Sequence, residues 1–311
     1  MPRVSIIVPN YNHEKYLNDR LKSIFNQTFQ DFEIILMDDR SLDGSVEVLK
    51  NYSKNSKVSH LILNDINSGS PFGMWKKGFE LAKGEFIWIA ESDDWANENL
   101  LFELVNAIEK DTSIVVAHCN SYFEFYEKTI PNNWWDSLSL TYWQKSYVES
   151  GEKLLLNYGR YKCPVINVSS AIIRKDILKN IEIPIEFRYC GDWWFWAQIF
   201  KQGKVTFIAK YFNHIRMHSS SATATKSLQT FNRFLENVRV VKQIHQLLNI
   251  RFTYSKKYKW LIDIWEQFIR IDKNYLKTKY YCNDLPFFFK SAMFFRVNNL
   301  LFKRLKRKIK I

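Results

Sequence analysis

An α/β domain followed by a helical extension is the fold class this sequence predicts, and three observations predict it. Short β-branched runs alternate with helix-length amphipathic segments through the first 120 residues, the alternation expected of β-α-β units in a parallel sheet. The residues just past those runs are dense in Asn, Asp and Glu, and ligands bind at the carboxyl ends of such strands. From Ser227 onward apolar residues recur at three- and four-residue spacing instead, which is a helical period.

Val4–Val8 reads as the first strand, and His13–Gln27, with Tyr16, Leu17, Leu21, Ile24 and Phe25 on one face, as the first helix. Glu33–Met37 is the second strand, followed by a helix over Asp43–Asn51 that opens on a capping Asp or Ser. Val58–Leu63 is the third strand. Pro71 suits the first turn of a helix through Ala82, the Lys83-Gly84 pair ends it, and Glu85–Ala90 is the fourth strand. Past Asp94 the pattern loosens into a helix over Asn99–Lys110, a strand at Ile114–His118 and an aromatic, turn-rich stretch to Ser150. A strand at Val168–Arg174, a helix over Trp193–Gln202 and a strand at Tyr211–Arg216 follow. The remainder reads as helices, one with Phe231, Phe234, Leu235, Val238 and Val241 on a face and one over Trp260–Leu276. The expected division is a domain over residues 1–220 and an extension over 221–311.

A composition of 46% hydrophobic and 25% charged residues, with only 9 Gly and 7 Pro, is that of a folded globular chain. Eight of the +13 formal charges fall in residues 285–311, which hold no Asp or Glu, leaving +5 elsewhere. The tail from Pro286 through the cluster Lys303–Lys310 therefore reads as an amphipathic segment attracted to anionic lipid, or as a solvated basic tail. It is not a nucleic-acid module, for no recognition motif accompanies it. Four cysteines without a C-x-x-C pair predict a reduced, cytoplasmic setting, and neither a signal peptide nor an 18-residue apolar span is evident. Peripheral attachment at the inner membrane face is the expectation. No G-x-G-x-x-G follows Val8 and no G-x-x-x-x-G-K-[ST] occurs, which removes the usual dinucleotide and P-loop enzymes. A zinc site built from His118, Cys119 and Cys190 has no suitable spacing.

The chemistry sits at the strand ends. Pro9-Asn10-Tyr11-Asn12 follows the first strand, Asp38-Asp39-Arg40-Ser41-Leu42-Asp43-Gly44-Ser45 the second, and Glu91-Ser92-Asp93-Asp94-Trp95 the fourth. With the GDWW string at Gly191–Trp194 and the R-x-H at Arg216 and His218, these strings resemble the inverting family 2 glycosyltransferases of the GT-A fold from about Val4 to about Ser221. The resemblance implies a single Rossmann-type mixed sheet flanked by helices and a nucleotide-diphosphate sugar donor of the UDP, TDP or GDP type. It also implies a divalent cation, Mn²⁺ or Mg²⁺, and direct displacement at the anomeric carbon by a hydroxyl of a glycan or lipid-linked acceptor. A non-catalytic glycan- or membrane-binding module on the same fold is the competing class.

By that resemblance Asp94 ligates the metal, and Asp93 touches the ribose or shares the metal shell. Two carboxylates beside a diphosphate make sense only with a divalent cation between them; an acidic helix cap is the plainer reading. Asp39 would accept a ring N–H of the base, which suits uracil, thymine or guanine. Asn10 and Tyr11 would line the base pocket with Pro9 fixing the turn, and Asp43 reads as a helix cap. Lys76 approaches the diphosphate or decorates a solvated helix face. Asp192, ahead of the aromatic run Trp193–Trp196, is the expected general base and also a helix cap. His218 would contact metal or diphosphate, with Ser219–Ser221 as a closing loop. Trp194 is the expected acceptor-stacking ring, with Trp193 and Trp196 in the core, and Trp135 lies in the irregular stretch where family members bind acceptors.

Overall fold

A computed structural model describes residues 1–218, 231–253, 256–271, 289–291 and 293–296. The chain forms two compact units, Met1–His218 and Ser219–Ile311. In the first, β1 (Val4–Asn10), β2 (Phe32–Asp38), β3 (Val58–Leu63) and β4 (Phe86–Ile89) alternate with α1 (Glu14–Phe25), α2 (Ser45–Tyr52) and α3 (Pro71–Leu81). All seven residues of β1 and of β2 are buried, as expected of strands covered on both faces, so their sequences are nearly continuous apolar runs. Then come β5 (Trp95–Ala96), α4 (Leu100–Ile108), β6 (Ile114–Phe125), β7 (Lys128–Pro131), β8 (Tyr147–Ser150) and α5 (Gly151–Leu154). The unit ends with β9 (Ala171–Arg174), α6 (Gly191–Lys201) and β10 (Lys204–Arg216).

One sheet runs in the order β3-β2-β1-β4-β9-β6-β10-β5, with β7 beside β6 and β8 beside β10. The strands β3, β2, β1 and β4 are mutually parallel, β9 is antiparallel to both β4 and β6, and β10 is parallel to β6. The chain winds outward from β1 to β3 and then returns to β4 on the other side of β1, so the crevice at their carboxyl ends is a topological switch point. On one face Leu17, Leu21 and Ile24 of α1 pack with Val4, Ile6, Val8, Trp88, Leu101 and Leu104.

Several elements differ from their sequence expectations. The parallel half of the sheet stands, but β9 inserts against it in the antiparallel sense. The expected strand at Val168–Arg174 begins only at Ala171, because the Asn167 side chain accepts Ser169 N–H at 2.8 Å and folds Val168–Ser170 into a 3₁₀ turn. β6 runs well past His118 and β10 starts before Tyr211; the polar residues Asn120, Ser121 and Thr206 are buried in these strands and break their apolar pattern. Gly84 has no left-handed φ and does not cap α3 in that way. A Cβ there would lie 2.5 Å from Ser5 N and 2.7 Å from Val4 C, so glycine is required by close approach to β1, where Ser5 Oγ accepts Gly84 N–H at 2.7 Å.

In the second unit α7 (Phe231–Leu247) packs on α8 (Lys259–Ile271). Phe234, Val238, Val241, Ile244, Leu261, Ile262 and Trp265 are buried, and Tyr258 Oη sits 3.1 Å from His245 Nε2. Among the described residues no helix is long and apolar enough to cross a membrane. The basic cluster Lys303–Lys310 and the loop Ser219–Ser221 lie outside the described residues.

Gly84→Ala is expected to destabilise the protein by about 1–3 kcal/mol through overpacking against β1. Chemical denaturation checks it, with a lower midpoint at an unchanged slope as the expected result.

Candidate active site

The loops after β1 and β2 are fixed to each other before any ligand arrives. Asn10 Nδ2 donates to Asp38 Oδ2 (2.8 Å) and Ser41 Oγ (3.1 Å), and Ser41 N–H donates to Asp38 Oδ1 at 2.7 Å. Asn12 and Arg40 take positive φ values of 55° and 63°, and Asn12 Oδ1 accepts Leu42 N–H at 2.7 Å. Asp43 caps two helix starts at once, accepting Glu14 N–H and Ser45 N–H at 3.0 Å each. Asn10 is thus a loop-positioning residue, Pro9 lies inside β1, and the Tyr11 ring is exposed at the rim.

Asp39 is buried, and the loop after β3 occupies its carboxylate. Ser68 N–H (3.0 Å to either oxygen), Ser68 Oγ (2.8 Å) and Asn64 Nδ2 (2.9 Å) all donate to it. Lys77 Nζ donates to Asn64 Oδ1 at 3.3 Å. Lys76 is not brought to this rim. It lines a groove of about 810 Å³ with Lys83, Glu85 and Arg174, at the opposite end of β4 from Asp93. The basic residue tied to the Asp39 loop is its neighbour, Lys77.

After β4 the two aspartates meet different partners. Asp94 is 2% exposed; its Oδ2 accepts Asn167 Nδ2 (2.9 Å) and Ser169 Oγ (3.0 Å), and its Oδ1 accepts Arg216 N–H (3.2 Å). Asp93 faces two imidazoles, with Oδ2 3.0 Å from His218 Nε2 and 4.0 Å from His13 Nε2. His13, Asp93 and His218 form the group able to hold a cation among the described residues. This revises the expected ligand pair. Asp94 is a brace with its oxygens already engaged, whereas Asp93 and His218 converge.

Beneath the turn lies Arg20, which sequence reading missed. It is fully buried, its three guanidinium nitrogens have no hydrogen-bond partner among the described residues, and its Cζ lies 5.0 Å from the Trp88 ring centroid. Burial lowers its pKa to about 10, partly offset by Asp94, Glu91 and Asp93. Burial, reinforced by neighbouring carboxylates and opposed by Arg20, raises Glu91 to about 8 and Asp94 to about 7. For Asp93 burial acts in the same upward sense but is outweighed by the hydrogen bond from His218 and the charges of His13 and His218, so it stays below the usual carboxylate range. Burial, only partly countered by Asp93, lowers His13.

The start of α6 completes the rim. Gly191 packs where a Cβ would strike Phe72 of α3 at 2.6 Å, which sets Asp192 beside the first turn of α3. Asp192 Oδ1 accepts Trp193 N–H at 2.8 Å. Trp75 joins the two halves, with its ring 5.5 Å from Phe195 and its Nε1 donating to Glu91 Oε1 at 3.1 Å.

The description Glycosyl transferase family 2 matches residues 5–182. The chain belongs to this family. The GalNAc(5)-diNAcBac-PP-undecaprenol beta-1,3-glucosyltransferase of Campylobacter jejuni is 26% identical over 267 residues, 83% of this chain and 79% of that protein. Staphylococcus aureus TarS 1-349 in complex with UDP-GlcNAc superposes with a TM-score of 0.63 at 20% identity, covering 94% of this chain and 78% of that one. The mannosyltransferase PcManGT from Pyrobaculum calidifontis, in complex with GDP-Man and Mn2+, gives a TM-score of 0.59 at 13% identity, covering 98% and 82%. The fold is GT-A.

Within this family 2 glycosyltransferase, the matched stretch contains Asn10, Asp39, Asp93 and Asp94 and stops short of Asp192 and His218. Two expected acceptor platforms are withdrawn by the structure. Trp194 is 9% exposed on a helix buried all round. Trp135 is 3% exposed, stacked 5.1 Å from Trp143, with Nε1 donating to Cys163 O at 3.4 Å. A helix apolar on every side is a core helix, so four consecutive aromatics there argued for packing. The half-exposed rings near the acid turn are instead Trp95, Tyr122 and Tyr211.

The raised carboxyls have a consequence for stability. A carboxyl that binds its proton more tightly folded than unfolded makes the native state hold more protons, so stability falls as pH rises from the unfolded pKa to the folded one. Below pH 6.5 the buried histidines oppose this trend, because burial lowers His118 to about 3 and also lowers His13 and His214. The melting temperature of the metal-free protein is therefore expected to fall from about pH 6.5 to about 8, and Glu91→Gln to flatten that slope. Scans in chelator across this range test it.

Proposed function

We propose that this glycosyltransferase transfers a hexose or amino sugar, with inversion, from a nucleoside diphosphate to a hydroxyl of a lipid-linked surface glycan. The observation that carries the reading is the convergence of Asp93, His13 and His218 on one rim with the tethered Asp39 and the start of α6. The Campylobacter relative is named for a lipid-diphosphate-linked acceptor, and the two structural neighbours hold UDP-GlcNAc and GDP-Man with Mn2+. These support the donor and acceptor classes.

In this reading the nucleobase lies against Asp39 and the loop that holds it, with Tyr11 at its edge. Asp39 accepts a ring N–H, which favours UDP, TDP or GDP. A divalent cation bound by Asp93 and His218 would neutralise the diphosphate as it leaves. Asp192 takes the proton of the acceptor hydroxyl while the hydroxyl oxygen bonds to the anomeric carbon and the bond to the diphosphate breaks on the opposite side.

Asp192→Asn is expected to lower the transfer rate by about 10²–10⁴-fold while leaving nucleotide-diphosphate binding within a factor of two. Asp93→Asn should abolish the Mn²⁺-dependent part of a thermal shift measured with UDP, GDP, TDP, CDP and ADP. Transfer at normal rates by both variants overturns the mechanism, and NMR of the product anomer tests inversion.

Attachment to the inner membrane face is part of the proposal. Phe294 and Phe295 are 62% and 72% exposed within the segment 285–311 that carries eight cations and no acid, a pairing that suits anionic lipid. Deleting residues 285–311 should release the protein from anionic vesicles; unchanged co-sedimentation removes the claim.

A further inference from the structure

The imidazoles facing Asp93 come from opposite ends of the first unit, since His13 precedes α1 and His218 closes the unit. Their ligand atoms and one Asp93 oxygen all lie within 4.8 Å of one another, close enough to share one ion. The two rings also pack edge-on at 5.7 Å, and the Tyr16 ring supports His218 at 4.9 Å.

The far side of the His13 ring is fixed as well. Its Nδ1 is 2.8 Å from Ser92 Oγ, and Ser92 is 1% exposed. With Nδ1–H donated to that hydroxyl, the Nε2 lone pair faces Asp93. Outer partners of this kind hold metal-binding imidazoles in one tautomer and orientation.

We infer that His13 is a cation ligand, positioned by Ser92, and that with His218 it makes a site of two imidazoles and one carboxylate that prefers a first-row transition ion to Mg²⁺. The inference rests on the donor-site reading above and deepens it. Mg²⁺ is a hard ion that seeks oxygen ligands in strict octahedral geometry. Imidazole nitrogen instead favours later divalent ions, with affinity rising from Mn²⁺ to Co²⁺. A pair of carboxylates, Asp93 with Asp94, would have left Mg²⁺ competitive. Asp94 is instead 2% exposed and holds Asn167, Ser169 and Arg216, while the three ligand atoms that lie together come from Asp93 and the two imidazoles.

The test is metal binding by the full chain without nucleotide, read by calorimetry and by pulsed electron paramagnetic resonance of bound Mn²⁺. The expected result is two ¹⁴N couplings and affinities in the order Mg²⁺, Mn²⁺, Co²⁺, weakest first. Ser92→Ala should keep both couplings and lose about 10–100-fold in Mn²⁺ affinity. His13→Ala should lose at least as much together with one coupling, while Mg²⁺ affinity changes less. One coupling or none in the wild type overturns the inference, as does Mg²⁺ binding as tightly as Mn²⁺, and neither result depends on how a variant folds. No sugar donor is present in these measurements. A two-nitrogen site in a protein that transfers nothing therefore counts against the transferase reading alone, and a one-nitrogen site in an active enzyme against this inference alone.

Discussion

Asp94 is buried where three separated pieces of chain meet: the turn after β4, the turn at Asn167–Ser169 and the end of β10. Its two oxygens take one or two hydrogen bonds from each of the latter two. An uncompensated carboxylate at such depth costs several kcal/mol, so those donors are obligatory rather than decorative. With Asp94 engaged by Asn167, Ser169 and Arg216, Asp93 is the carboxylate that meets the imidazoles, and the backbone at Arg216 is held two residues before His218. The geometry of the cation-capable cluster is in this sense inherited from a residue that is not one of its ligands. Arg20 supplies positive charge from below, sharing its hydrophobic pocket with Trp88, which lessens the repulsion of having Glu91, Asp93 and Asp94 together.

The same economy governs the donor rim. Asn10 through its Nδ2, with Asn12, Asp38, Ser41 and Asp43, bonds to backbone and to its neighbours, fixing two loops that contain positive-φ residues. Groups held in place before a substrate binds lose little entropy on binding it. Asp39 is the exception in kind. Its partners, Ser68 and Asn64, sit on the segment after β3, so a base that engages this carboxylate competes with a hydrogen-bond set already made.

Much of this was legible in the sequence, and the failures have physical reasons. The buried parallel strands announced themselves as apolar runs, and the acidic strings after them marked the switch-point crevice. The direction of Asp93 against Asp94 was not legible, because adjacent residues in a turn are separated only by which partners lie nearby, and Asn167, Ser169 and Arg216 are remote in sequence. Arg20 did leave a signal: Leu17, Arg20, Leu21 and Ile24 form the buried stripe of α1, so a cation interrupts an otherwise apolar face. His13 read as a helix start, and only the return of the chain at His218 gives it a partner. Trp135 and Trp194 show the limit for aromatics, since a ring that stacks on a sugar and a ring that fills a core are the same residue. Strands β5, β7 and β8, of two to four residues, are too short for any period to register.

The first unit ends at His218, one of the three residues of the cluster itself. Whatever follows is joined by a single peptide bond, about 3.8 Å from Cα to Cα, to a residue of the proposed reaction centre. The junction is therefore not an inert tether. An insertion or deletion between Arg216 and His218 would shift the imidazole against Asp93, because Arg216 N–H is held by Asp94 and Met217 N–H by Glu124 O. The stretch from Arg216 to His218 therefore carries a constraint of register that its own side chains do not reveal.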